Sequence, residues 1–185
     1  MGYTHYYEVL DWESPEWKAA WPQLVKDAQT IIDAAGVAVC GATEDEEVVT
    51  PPIANEKDGI YIGGVDEDAY ERFILVPNYE DVGSRFQFCK TARREYDVVV
   101  TCILLRAKML APNSFKLSSD GSWSEWKPAR DVYQRIWPDA SVECPFKDDE
   151  SEVDTDAEVD EDSEDEESSE TEDGSDDELD TRLDA

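Results

Sequence analysis

The chain has 185 residues, of which 47 are acidic and 16 are basic, and its formal net charge is −31 at pH 7. A field this negative repels phosphate groups, so the composition argues against direct nucleic-acid binding. No apolar run reaches the roughly 18 residues that cross a bilayer, and residues 1–6 lack the basic and apolar regions of a signal peptide. A cytoplasmic protein that makes no membrane contact is therefore predicted.

The composition changes sharply near residue 147. Residues 1–147 hold 25 acidic and 15 basic residues and every Trp, Tyr and Phe of the chain, whereas residues 148–185 hold 22 acidic residues and a single cation, Arg182. The first part is long enough to bury one core. The second part lacks the apolar surface that would offset its ordering entropy. We predict one globular domain over residues 1–147 and a disordered acidic tail over residues 148–185.

The first predicted elements are a strand and a long helix. Residues 2–10 are rich in strand-forming residues. Ser14 can cap a helix, and Pro15 suits its first position. Apolar residues then recur at three- and four-residue spacing as far as Gly36, a common helix terminator. The pattern predicts a helix from Pro15 to about residue 35.

Four short strands are predicted before residue 90. They cover residues 37–40, 59–64, 70–76 and 84–88. The last two are expected to form an antiparallel pair, because the turn-forming stretch at residues 77–81 joins them.

Two further helices complete the predicted fold. Residues 97–110 begin with β-branched residues but are long and apolar, which favours a central buried helix against which the sheet packs. A final helix is expected from about Pro128 to Ile136, before the breaker Pro138. The fold class predicted is α+β, with an antiparallel sheet of about five short strands and about three packing helices.

Three blocks of sequence resemble one protein family. The blocks are residues 1–6 (Met-Gly-Tyr-Thr-His-Tyr), residues 86–97 (Phe-Gln-Phe-Cys-Lys-Thr-Ala-Arg-Arg-Glu-Tyr-Asp) and residues 118–126 (Ser-Ser-Asp-Gly-Ser-Trp-Ser-Glu-Trp). They resemble small proteins found in tailed phages, prophages and haloarchaea or their viruses. The resemblance extends to about residue 138 and implies a viral or mobile-element origin. It implies no activity, and family members more often carry Lys-Pro-Tyr-Asp where this chain has Arg-Glu-Tyr-Asp.

The acidic composition fits the haloarchaeal side of that resemblance. A surface rich in carboxylates stays hydrated in concentrated salt, where charge repulsion is screened within about 3 Å at 1 M. A halophilic protein is the favoured interpretation. A mesophilic acidic protein with an ordinary solvated surface is the alternative.

A compact group of cations indicates a candidate binding site. Lys90, Arg93 and Arg94 fall between a predicted strand and a predicted helix. Cationic side chains and free backbone N–H groups can converge on a phosphate at such a place. We therefore predict that these three residues bind an anion. The alternative is that they form surface ion pairs with neighbouring carboxylates such as Glu95 and Asp97.

The only histidine lies in the first predicted strand. Alternation places Tyr3, His5 and Tyr7 on one face. The strand ending at Phe88 is expected to pair in the same small sheet, which would bring the cations close to that face. Tyr3 and His5 are therefore predicted to contact the ligand. Alternatively, His5 is a satisfied structural group, as lone histidines often are.

The four cysteines indicate neither a metal site nor a cofactor. Cys40, Cys89, Cys102 and Cys144 form no C-x-x-C pair, and one histidine cannot complete a mixed zinc site. Reduced thiols are expected. Cys89, beside Lys90, is either a buried strand residue or a nucleophile, and burial is the commoner outcome.

The favoured function is a small accessory protein of viral or mobile-element origin that binds a compact anionic ligand or a host protein in the host cytoplasm. One alternative is an enzyme acting on a nucleotide or a phosphorylated metabolite, with His5 as acid or base. Another is an inhibitor that imitates nucleic-acid charge through its tail. Hydrolase, NTPase and deaminase signatures are absent from the sequence, so no catalytic residue is assigned.

Overall fold

The computed structural model describes residues 2–41 and 49–146. The predicted acidic tail at residues 148–185 lies outside the described residues. The predicted fold class is confirmed, since the described part is α+β. Along the chain the elements are β1 (Thr4–Val9), α1 (Pro15–Ala35), β2 (Val39–Cys40), β3 (Ile53–Asn55), β4 (Gly59–Gly64), β5 (Phe73–Leu75), β6 (Phe86–Lys90), α2 (Asp97–Leu110), β7 (Phe115–Ser119) and α3 (Lys127–Ile136).

Helix α1 begins and ends where local signals predict. The Ser14 hydroxyl accepts a hydrogen bond from the Trp17 N–H at 3.2 Å, and Pro15 occupies the first turn. At the other end, Gly36 has a φ of 70°, the left-handed conformation that commonly terminates a helix. The boundaries of α1 are thus fixed by its own sequence.

The strands form two antiparallel sheets rather than the single sheet predicted. In the first, β1 lies between β6 and β7; in the second, β4 pairs with β2, β3 and β5. The predicted pair of residues 70–76 with residues 84–88 is wrong. Leu75 pairs with Ile60 in β4, while Phe88 pairs with Tyr6 in β1. The pairing of β6 with β1 confirms the predicted contact of these two strands.

Burial explains why β5 and β6 separate. Phe73 and Leu75 are buried in the core, whereas Phe86 and Phe88 are exposed. Strand β5 therefore directs Phe73 and Leu75 into the core, whereas β6 directs its two phenylalanines to solvent and only Cys89 into the core. The intervening residues form a short 3₁₀ helix, Tyr79–Asp81, instead of a hairpin turn.

Strands β3 and β7 were missing from the predicted set. In β7, Phe115 and Leu117 are buried and alternate with the exposed Lys116. That alternation is present in the sequence, but the following Asp-Gly pair favoured a turn beginning at residue 118.

Helix α2 is the centre of the molecule, as predicted. All of its residues from Val99 to Leu105 are buried. It packs against α1, α3 and β7. Because α2 begins only a few residues after β6 ends, its N-terminus lies beside the first sheet, and this proximity creates the site described below.

A buried ion pair joins the three helices. Arg106 of α2 donates from Nε to Asp27 Oδ2 of α1 at 2.6 Å and from a terminal nitrogen to the Tyr133 hydroxyl of α3 at 2.9 Å. Its guanidinium also lies 4.1 Å from the Trp137 ring centre. The Arg106 side chain is 16% exposed and that of Asp27 is 8% exposed, so the two charges neutralise each other largely away from solvent.

No helix in residues 2–41 and 49–146 combines the length and the apolar character that a bilayer crossing requires.

Candidate functional site

A strained turn links β6 to α2. The Arg94 N–H donates to the Thr91 carbonyl at 3.0 Å, which closes a four-residue turn. The two central residues, Ala92 and Arg93, have φ values of 52° and 59°. Positive φ at both positions defines a type I′ turn, which normally takes Asn or Gly. Each non-glycine residue in this region costs roughly 1–2 kcal/mol, and such strain is typical of functional sites.

Contacts with the chain's N-terminal segment and with the loop before α3 hold this turn. The Ala92 N–H donates to the Tyr3 carbonyl at 3.2 Å, and the Arg93 guanidinium carbon lies 4.0 Å from the Tyr3 ring centre. Arg93 also donates to Glu125 Oε1 from Nε at 3.0 Å and from a terminal nitrogen at 2.8 Å. These hydrogen bonds raise the pKa of Arg93 and lower the pKa of Glu125.

The turn forms one wall of a groove of about 580 Å³. This volume is in the range of small-molecule sites. The apolar lining comes from Val37, Val98, Pro128 and Ala129, together with the Tyr3 ring. The charged lining comes from Arg93, Arg94, Glu95, Asp97 and Glu125. Two cations and three carboxylates therefore surround a largely apolar interior.

His5 lies directly behind this wall. Its side chain is 0% exposed, and its ring packs edge-to-face against Tyr3 and Trp126 with centroid distances of 5.0 and 5.3 Å. His5 Nε2 lies 2.7 Å from Asp97 Oδ1, and Nδ1 lies 2.9 Å from Ser119 Oγ. The imidazole thus bridges β1, β7 and the start of α2.

The hydrogen-bond pattern assigns the tautomer of His5. Ser119 Oγ accepts from the Gly121 N–H at 2.9 Å and from Trp126 Nε1 at 3.3 Å, which occupies both of its lone pairs. Its own proton is then donated to His5 Nδ1. The proton of the ring is therefore on Nε2, from which His5 donates to Asp97.

Asp97 is the group that connects this network to the groove. Its Oδ1 accepts from His5 and from the Thr91 hydroxyl. Its side chain is 18% exposed and lines the groove. Asp97 Oδ2 accepts no hydrogen bond from any side chain or backbone group of the described residues. The network therefore orients a carboxylate and leaves one of its oxygens available to a ligand.

The structure brings together three of the five predicted site residues. Tyr3, Arg93 and Arg94 line the groove. His5 does not line the groove, although its ring contacts Asp97, which does line it. Lys90 lies elsewhere, with its Nζ 5.6 Å from the ring centre of Tyr70.

Arg93 and Arg94 differ in their pairing. Arg93 has Glu125 as a counterion. The Arg94 side chain is exposed and makes no ion pair or hydrogen bond within residues 2–41 and 49–146. Arg94 is therefore the cation of the turn that can engage an incoming anion without first losing a partner.

Sequence reasoning missed the roles of Asp97, Glu125 and Ser119. The sequence suggests Asp97 only as an ion-pair partner of the neighbouring cations. The sequence signal for Glu125 and Ser119 is weak, because both contact residues more than 30 positions away. Only the pairing of β1 with β7 and the docking of α3 bring them to the site.

The cysteines take no part in the groove. Cys89 and Cys102 are fully buried, and burial raises the pKa of the Cys102 thiol to about 12 and that of Cys89 further. All four cysteines are free. A thiol that stays protonated is a poor nucleophile, so the geometry favours a packing role for Cys89. Within the described residues, His, Cys, Asp and Glu form no cluster of three suited to a metal.

No protein-family model matches the chain, and neither the curated proteins nor the solved structures give a match. The resemblance to phage and haloarchaeal proteins remains a prediction.

Proposed function

We propose that this protein is a small accessory protein of viral or mobile-element origin that binds a compact anionic ligand in the groove beside Arg94, in the host cytoplasm. One observation carries the proposal: an exposed arginine without an ion pair among the described residues stands at the rim of an apolar groove. In a chain with a net charge of −31, carboxylates that could neutralise it are abundant. A guanidinium presents a fork of N–H donors that matches carboxylate and phosphate groups.

The other walls of the groove narrow the class of ligand. Arg93 has one face on Tyr3, and its side chain is 53% exposed, so its other face is open to a planar ring. Asp97 Oδ2 can accept a hydrogen bond from a hydroxyl or an amine of the ligand. An anionic group, a planar ring and a hydrogen-bond donor occur together in nucleotides. A nucleoside monophosphate is therefore the first probe to test.

The geometry supports binding over catalysis. Both ring nitrogens of His5 are engaged, and its side chain is buried, so His5 does not reach a molecule in the groove. An enzyme would have to use one of the carboxylates that line the groove as its base, and the one that the His5 network orients is Asp97. A general base must lie within hydrogen-bond reach of the proton that it removes. Of the groups hydrogen-bonded in the His5 network, only the Asp97 carboxylate lines the groove and could reach a ligand there. The charge-mimic alternative depends on residues 148–185, which lie outside the described residues.

The test begins with mass spectrometry of small molecules that stay bound to protein purified in molar potassium chloride. Calorimetric titration with AMP, and separately with inorganic phosphate, then compares the native chain with Arg94→Gln. A charge-assisted hydrogen bond contributes about 1.5–3 kcal/mol, so Arg94→Gln should weaken AMP binding roughly 10- to 100-fold.

Arg85→Gln is the matched control, because Arg85 is also exposed, and it lines a different cavity. It removes the same charge from the chain and should leave AMP affinity nearly unchanged. Equal losses in the two variants, or no loss with Arg94→Gln, would show that the groove does not recognise an anion through Arg94.

A further inference from the structure

The outer face of the sheet β6–β1–β7 carries an unusual set of side chains. Strand pairing places Phe88, Tyr6 and Ser118 in one row across the three strands. A second row holds Phe86, Glu8 and Lys116. Helix α2 packs on the opposite side, against β7, and Trp126 at the start of α3 contacts the inward-facing His5 there. The groove is also on that side, so this face is independent of the proposed ligand site.

The aromatic residues of this face are strongly exposed. Phe86 and Phe88 are each 55% exposed and are the most exposed aromatic side chains in the described part of the chain. Tyr6 stacks on Phe86 with a centroid distance of 6.0 Å and an interplanar angle of 20°. The solvent face of an antiparallel sheet is ordinarily polar. A contiguous exposed aromatic patch indicates an interaction surface.

The charge of this face differs from that of the rest of the molecule. At the outward positions of the three strands, the charged residues are Lys90, Lys116 and Glu8. Asp120, which directly follows β7 and accepts from the Thr4 N–H, adds a second carboxylate. The face therefore has no net charge, although residues 1–147 as a whole carry 25 acidic and 15 basic residues. On this face carboxylates do not outnumber cations, as they do in residues 1–147 as a whole.

We propose that this face binds a second copy of the same chain, forming a two-fold symmetric dimer. The face is self-complementary in charge and in the placement of its aromatic residues. A two-fold axis along the row of Phe88, Tyr6 and Ser118 would place each of these residues opposite its own copy. The same axis would place Phe86 of one chain opposite Lys90 of the other, with Glu8 next to that lysine. Aromatic residues then meet in the centre, and opposite charges meet around them.

The salt dependence distinguishes dimerisation through this face from binding of a nucleic acid or a basic protein to it. Two chains of net charge −31 repel each other, and molar salt screens that repulsion within about 3 Å. Dimerisation is therefore expected to strengthen as salt increases. Binding of a single-stranded nucleic acid to the aromatic residues and lysines would weaken with salt, because counterions are released on binding. Association with a basic protein would weaken in the same way.

Sedimentation velocity of the full chain in millimolar and in molar potassium chloride tests the proposal. We expect a concentration-dependent dimer in molar salt and mostly monomer in millimolar salt. Phe86→Ser combined with Phe88→Ser should raise the dissociation constant by at least about tenfold. Both side chains are exposed, so circular dichroism should show the fold of the variant unchanged.

Tyr79→Ser is the control, since Tyr79 is 45% exposed but lies outside this face. It should dimerise like the native chain. A monomer at every salt concentration, or a dimer that the phenylalanine substitutions leave intact, would overturn the proposal. Titration of a labelled single-stranded oligonucleotide supplies a further readout. Binding that falls with salt and is lost in the double variant would assign the face to nucleobases instead and overturn the dimer.

Discussion

The guanidinium carbon of Arg93 lies 4.0 Å from the centre of the Tyr3 ring. A cation–π contact whose cation stays exposed contributes about 0.5–1 kcal/mol. This contact joins Tyr3 in the N-terminal segment to the turn that begins the groove wall. The positive φ of Arg93 is therefore accompanied by a stacking contact, an ion pair with Glu125 and a backbone hydrogen bond from Ala92 to Tyr3. These contacts offset the strain of the turn.

The first prediction concerns that strain. Ala92→Gly should raise the free energy of unfolding by a few tenths to about 1 kcal/mol, because glycine adopts positive φ without a steric penalty and this gain exceeds its larger entropy loss on folding. Ala19→Gly, at an exposed position in the interior of α1, is the control and should lower it by about 1 kcal/mol. Chemical denaturation of both variants measures the two effects. Equal destabilisation by both would show that the turn is not strained.

The second prediction concerns the buried histidine. His5→Leu leaves Asp97 Oδ1 and Ser119 Oγ without their imidazole partner, so the free energy of unfolding should fall by about 2–4 kcal/mol. Tyr6→Leu changes the next residue of β1, which faces outward, and should have a much smaller effect. Thermal unfolding of dilute protein in millimolar potassium chloride, where the chain is expected to be mostly monomeric, compares the two variants. A small loss with His5→Leu would contradict a structural role for the imidazole.

The third prediction concerns the ion pair between Asp27 and Arg106. Arg106→Leu leaves the buried Asp27 carboxylate without a counterion and with only the Gln23 amide as a donor, so it should cost about 3–5 kcal/mol. Replacing both residues by leucine should recover most of that loss, because two apolar side chains need no counterion. A double-mutant cycle measured by urea denaturation gives the coupling. Simple additivity of the two single effects would refute the coupling.

The fourth prediction concerns pH. Hydrogen bonds from Arg93 and from Ser122 hold the pKa of Glu125 below its ordinary value of 4.5. A carboxyl with a lowered pKa in the folded state stabilises the fold above its unfolded pKa and loses this contribution as pH falls through the folded pKa. Since both side chains of the pair are partly exposed, the contribution is small.

Glu125→Gln should therefore be slightly less stable than the native chain near neutral pH. The difference should shrink as pH falls below 4.5. Stability curves of the two proteins against pH provide the measurement. A difference that grows in acid would mean that the carboxylate does not stabilise the folded state through Arg93.

Local signals predicted the elements whose determinants are close in sequence. Ser14, Pro15 and Gly36 fix the ends of α1, and the long apolar run identifies α2 as the central helix. The pairing of β6 with β1 was also predicted, because a small sheet offers few neighbours. The pairing of β5 was not, since a turn signal between two strands does not exclude a more apolar partner such as β4.

The candidate site was predicted only in part, because some of its determinants are close in sequence and others are not. The cluster of cations is visible in the sequence, and Arg93 and Arg94 do line the groove. Lys90 points along a different face because successive side chains of a strand alternate. The ion pair of Arg93 with Glu125 and the contact of His5 with Asp97 span 32 and 92 residues, so no local pattern contains them.

The groove is built from segments that are far apart in the chain: Tyr3 near the start, the turn and α2 N-terminus in the middle, and the first turn of α3 near the end of the described residues. A nascent or truncated chain that lacks any of these segments has no groove. A molecule that binds there consequently recognises only the completely folded domain. By mass action, such a ligand raises the midpoint of thermal unfolding in proportion to the logarithm of its concentration. A thermal-shift screen of metabolites can thus find the ligand without any assay of activity.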